Sequence, residues 1–131
     1  MPKRPSPHPT EAELEVLSIL WRKGPSTVRE VHAVVEAVRQ TSLNTTLKTL
    51  QVMTEKGLVL CSDERPHRYT AAAPEERTQA GMLKDLVQRA FDGSAQKLLV
   101  RLVDAGGVTQ KDLDAIAKLI SDLRKGKRGA E

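Results

Sequence analysis

Asn44, Thr45, Lys48 and Gln51 follow one another at gaps of one, three and three residues, a spacing that puts them on one face of a helix. Asn and Gln each present a donor beside an acceptor and can pair bidentately with adenine. A lysine reaches guanine acceptors or a phosphate, and a threonine hydroxyl hydrogen-bonds or touches a thymine methyl. This polar face fits the base edges of a DNA major groove, with a plain solvated face as the alternative. Thr46 and Thr49 of the same segment join the candidate DNA-binding set. Downstream, Arg65, His67 and Arg68 follow a polar turn and supply groups for phosphates, contacts that position a protein without specifying sequence. His67 reads equally well as a surface residue of that turn. Arg29 and Arg39 add charge from the preceding segment.

Other chemistries find less support. His8, His32 and His67 are scattered without ligand spacing, so no metal site is expected. Cys61 is the single cysteine, which excludes an internal disulfide, and in a short β run it reads as a small buried hydrophobe. There is no glycine-rich phosphate loop, nucleophile elbow or pair of carboxylates, so neither catalysis nor a cofactor is expected. With one Trp, one Tyr and one Phe the chain cannot build a stacking platform for single strands, which leaves duplex DNA as the better target.

The elements that must hold these residues follow from periodicity and punctuation. Thr10 and Glu13 form a capping-box pattern ahead of Leu14, Leu17, Leu20 and Trp21, predicting a first helix from about Glu11 to Arg22 that stops at Gly24-Pro25. Thr27 and Glu30 repeat the pattern before the stripe Val28, Val31, Val34, Val35, Val38, and Ser26 to Val28 can contribute a very short strand. A third helix starts near Ser42 or Asn44, turns Leu43, Leu47, Leu50 and Met53 inward, and ends at Lys56-Gly57. Leu58 to Cys61 and His67 to Thr70 then read as a hairpin across the turn Ser62 to Pro66. Helix, helix, helix, hairpin is the order of a winged helix-turn-helix, whose third helix enters a major groove while the hairpin lies over phosphates.

From Pro74 the pattern is helical again, in three amphipathic stretches separated by Asp92-Gly93-Ser94 and Gly106-Gly107, the last capped by Thr109 and Asp112. So small a segment cannot bury its own apolar stripes. They either fold back on the N-terminal domain or pair two chains, and the second is favoured because a single reading head binds weakly. Leu83, Leu86, Val87, Phe91, Leu98, Leu99, Leu102, Leu113, Ile116 and Ile120 are the expected dimerisation residues. The fold class is thus mainly α, a winged helix-turn-helix followed by a C-terminal helical dimerisation segment. Its expected domains are a disordered arm (1–9), the DNA-binding domain (10–73), the dimerisation domain (74–125) and a flexible basic tail (126–131).

The balance of 21 Lys+Arg against 17 Asp+Glu leaves a net charge of +4, compatible with an anionic partner but too evenly spread to identify one. No apolar run is long enough to span a bilayer, and the proline-rich start lacks the apolar stretch of a signal peptide, so no membrane insertion and a cytoplasmic location are expected.

The stretches Glu13-Leu14-Glu15-Val16-Leu17, Leu20-Trp21, Val28-Arg29-Glu30-Val31, Asn44-Thr45-Thr46-Leu47-Lys48-Thr49-Leu50, Thr54-Glu55-Lys56-Gly57-Leu58, Arg68-Tyr69 and Phe91-Asp92-Gly93-Ser94 together resemble the penicillinase-repressor (BlaI/MecI) family. The resemblance covers roughly residues 8 to 125. It implies a winged-helix repressor that dimerises through its C-terminal helices and binds palindromic operators. It also implies a partner, a membrane sensor protease or its downstream protease, that cuts an Asn-Phe bond in the C-terminal domain. The matching bond here is Arg101-Leu102, which departs from that pair, and the C-terminal cysteine cluster of a copper-responsive branch is absent. The competing function is a winged-helix protein-interaction module whose third helix never touches DNA.

Overall fold

A computed structural model of the chain describes residues 8–130, with side chains as far as residue 126. Most of the expected N-terminal arm (residues 1–7), Glu131 and the side chains of the basic tail beyond 126 lie outside the described residues. The elements are α1 (Glu11–Lys23), α2 (Val28–Val38), α3 (Leu43–Glu55), β1 (Val59–Cys61), β2 (Tyr69–Ala71), α4 (Glu75–Ala90), α5 (Ala95–Asp104) and α6 (Gln110–Ala130). The mainly helical winged helix-turn-helix read from the sequence is the observed fold.

Caps written in the sequence set the helix starts. Thr10 Oγ1 accepts from the Glu13 N–H at 3.2 Å while the Glu13 carboxylate accepts from the Thr10 N–H at 2.9 Å, and Thr27 and Glu30 do the same for α2 at 3.2 and 2.8 Å. Both boxes satisfy donors that the first turn of a helix leaves orphaned. At the far end of α3, Gly57 takes φ of 81°. Its N–H donates to Thr54 O at 3.1 Å, and the next N–H, of Leu58, donates to Met53 O at 2.9 Å, the paired bonds of a Schellman stop.

β1 and β2 pair antiparallel in the register Val59↔Ala71, Leu60↔Thr70, Cys61↔Tyr69. The short strand expected at Ser26 to Val28 is confined to one bridge, in which Ser26 and Tyr69 exchange backbone hydrogen bonds of 3.1 and 2.7 Å. The core gathers Val16, Leu17, Ile19 and Leu20 of α1, Val31 and Val35 of α2, Leu50 and Met53 of α3, Val59 and Tyr69, with Trp21, Val28, Val34, Leu58 and Ala71 packed at its edge. Trp21 Nε1 donates to Ala73 O at 3.0 Å, fastening the end of the hairpin to α1. Val38, expected in the apolar stripe of α2, is exposed at the last residue of that helix.

The chain forms two compact units, one running through Leu83 and the other from Lys84 onward. The second holds the rest of α4 with α5 and α6. Neither α4 nor α5 contains a fully buried residue. α6 runs on to Ala130, into the stretch expected as the tail (126–131).

Candidate nucleic-acid interface

Ser42 opens α3, its Oγ accepting from the Thr45 N–H at 3.1 Å and lying 2.9 Å from the Thr45 hydroxyl. Asn44, Thr45, Lys48 and Gln51 are all exposed, as their spacing predicts, and Lys48 has no ion pair among the described residues. Thr46 and Thr49 do not share that surface. Thr46 lies four residues before Leu50 and seven before Met53, so the helical period carries it into the core, where it is 4% exposed. Thr49 is half-buried, and its hydroxyl donates to Thr45 O at 3.0 Å. The exposed polar face of α3 is therefore narrower than the sequence suggests.

The hairpin turn is organised by Ser62. Its N–H donates to Arg68 O and its Oγ accepts from the Arg68 N–H, both at 2.9 Å. His67 Nδ1 lies 2.7 Å from Ser62 O; a carbonyl only accepts, so Nδ1 carries the hydrogen and the half-buried ring braces the turn. Arg65 and Arg68 are exposed, Arg65 without an ion pair among the described residues and Arg68 with a loose one, 3.7 Å from Glu30. The Thr27 N–H, with smaller help from Arg68 and Lys23, holds the Glu30 carboxyl below its usual range. Arg39 is paired with Glu15 at 2.8 Å, while Arg29 is exposed.

Cys61 departs from expectation. It sits at the exposed end of β1, with Sγ 3.6 Å from Ser62 O, because the strand stops before its side chain is covered. Across the pair, burial and then the neighbouring Cys61 push the Tyr69 hydroxyl pKa up.

Two polar links join helices inside the first unit. Lys56 Nζ donates to both Glu13 oxygens at 2.8 and 3.0 Å, with the two side chains 15% and 6% exposed. His32, set aside as a lone histidine, lies 2.9 Å from Thr46 Oγ1 through Nδ1 and 2.7 Å from Glu36 Oε2 through Nε2. The His32–Glu36 pair follows from i,i+4 spacing on α2, whereas Lys56–Glu13 and His32–Thr46 depend on how helices pack.

In the helices after the hairpin, Leu83, Leu86, Leu99, Leu102, Leu113 and Ile120 of the expected dimerisation set are exposed, while Val87, Phe91, Leu98 and Ile116 are half-buried. Val100 and Leu119 extend the exposed apolar surface beyond that set. No helix among the described residues is long and apolar enough to cross a membrane. Arg101 and Leu102 lie inside α5, their carbonyls accepting from Ala105 N–H at 2.9 Å and Gly107 N–H at 3.3 Å, and Arg101 Nη1 is 3.3 Å from Asp104.

Three helices around one core, a polar face on the third and a two-stranded wing define a winged helix-turn-helix protein. The penicillinase repressor family matches residues 9–122. The chain is 34% identical over 119 residues to the transcriptional regulator BlaI of Mycobacterium tuberculosis, in strains CDC 1551 / Oshkosh and ATCC 25618 / H37Rv, a match covering 88% of this chain and 85% of the relative. This chain belongs to the penicillinase repressor family and is a transcriptional regulator.

Proposed function

We propose that the protein is a cytoplasmic repressor that binds a palindromic operator in duplex DNA as a homodimer. Helix α3 lies in the major groove, presenting Asn44, Thr45, Lys48 and Gln51 to base edges, and the wing sets Arg65 and Arg68 on phosphates. The observation that carries this reading is the split of α3 into a core-packed side and an exposed side rich in donors and acceptors, with Lys48 uncommitted to any carboxylate among the described residues. That combination of amides, hydroxyl and cation matches the donors and acceptors that base edges present in a major groove. The exposed leucines of α5 and α6 support self-association, because covering the part of each still open to water contributes about 1 kcal/mol, roughly half of what full burial gives.

The test is selection of duplexes from a random pool, followed by titration of the enriched sequence. The proposal expects an inverted repeat whose half-sites lie about one helical turn, or a multiple of it, apart. Failure to enrich any duplex at moderate salt would favour a protein-interaction role for the winged helix.

A further inference from the structure

His32 faces α3 from the middle of α2, and its ring is almost enclosed, with the side chain 12% exposed. A carboxylate cannot donate, so Nε2, 2.7 Å from the Glu36 carboxylate, carries the ring hydrogen in the neutral imidazole. Nδ1 is then the acceptor, and the Thr46 hydroxyl 2.9 Å away is its donor. The result is a chain of polar bonds, Glu36 to His32 to Thr46, tying α2 to the fourth residue of α3. Apolar packing alone tolerates sliding and rotation between helices. A buried hydroxyl and ring that must be paired do not, because losing the pairing strands both groups away from water. Although buried, Thr46 is next in sequence to the exposed Thr45 and two positions from the exposed Asn44 and Lys48.

We infer that His32 is a positioning residue for the reading helix: through Thr46 it fixes the rotation of the first turns of α3 against α2, and with it the aim of Asn44, Thr45 and Lys48. This rests on the reading of α3 as the DNA-contacting element. Neither His32 nor Thr46 need touch DNA. Base readout depends on hydrogen-bond geometry that deteriorates over small displacements, whereas phosphate attraction does not, so the link governs discrimination more than general affinity.

The experiment titrates the full-length protein and its variants against two duplexes, the selected operator and one with a substituted base pair in each half-site, with thermal melts alongside. His32→Leu and Thr46→Val should each weaken operator binding about tenfold and shrink the ratio between the two duplexes, while the salt dependence of binding stays that of the parent. The double variant should be no worse than the poorer single one, since both remove the same link. His32→Asn keeps an acceptor near the Nδ1 position and should restore most of the ratio. Variants that keep the parental ratio, or that lose binding to both duplexes in step with a fall in melting temperature, would overturn the inference. Asn44→Ala and Lys48→Ala are the controls for the reading beneath it: if the parent discriminates and neither variant changes that, α3 is not the reader and the inference falls with it.

Discussion

The Glu13 carboxylate caps α1 and receives two hydrogen bonds from Lys56 Nζ, so a single side chain joins the start of α1 to the end of α3. Burial pushes its carboxyl pKa up, but the bonds from Lys56 and Thr10, together with the Lys56 charge, outweigh this and leave it below the ordinary value of 4.5. A carboxyl lowered by folding contributes stability above its unfolded pKa and loses it as the pH falls through the folded value. Melting temperature should therefore decline as the pH drops below 4.5. Glu13→Gln should remove part of that decline while costing about 1–3 kcal/mol at neutral pH, as chemical unfolding would measure. On the outer face of α3, Asn44→Ala and Lys48→Ala should leave the melting temperature unchanged and weaken operator binding by about 1–3 kcal/mol for a lost base contact, or less if Lys48 meets only a phosphate. The exposed residues of this face were legible because helical spacing separates them from Leu50 and Met53. Thr46 was not, since a threonine next to those exposed residues gives no sign that its hydroxyl finds a histidine on another helix.

Elements were far more legible than contacts, because local chemistry ends and begins them. Thr10 with Glu13, Thr27 with Glu30, and Gly57 each mark a boundary within a residue or so of where it falls, whatever the rest of the chain does. The wing was visible as two β runs about a turn, but the bracing role of His67 depends on turn geometry that no pattern announces. Arg65→Ala should lower the slope of log affinity against log salt by about one while sparing base-pair preference, the signature of a phosphate contact measured by titration across salt concentrations. In α5, the Arg101-Leu102 bond is held in helical hydrogen bonds, whereas proteases bind extended chain. Limited trypsin digestion of the native protein should spare this bond, and mass spectrometry should find it cut only once conditions unfold α5.

At the scale of the whole molecule, the exposed apolar residues Leu99, Val100, Leu102 and Val103 on α5 and Leu119, Ile120 and Leu123 on α6 are hard to reconcile with a lone chain in water. The sequence anticipated this surface from the excess of stripes over interior, though it could not show which residues would stay uncovered. Leu99→Asp should convert a dimer to monomer by setting an unpaired charge in the apolar contact, with sedimentation reporting the change from twice 14.4 kDa to 14.4 kDa. Operator affinity should then fall by orders of magnitude, since the second head no longer binds as an intramolecular partner. The most direct check on a dimeric reader is a titration of the parent protein against the selected inverted repeat, the same DNA with one half-site scrambled, and unrelated duplex, across a range of salt. The expected result is tight binding to the full repeat, a large loss with one half-site, and steep salt dependence for all three. Equal binding to the three duplexes, or none at moderate salt, would contradict the proposal that this protein reads an operator as a dimer.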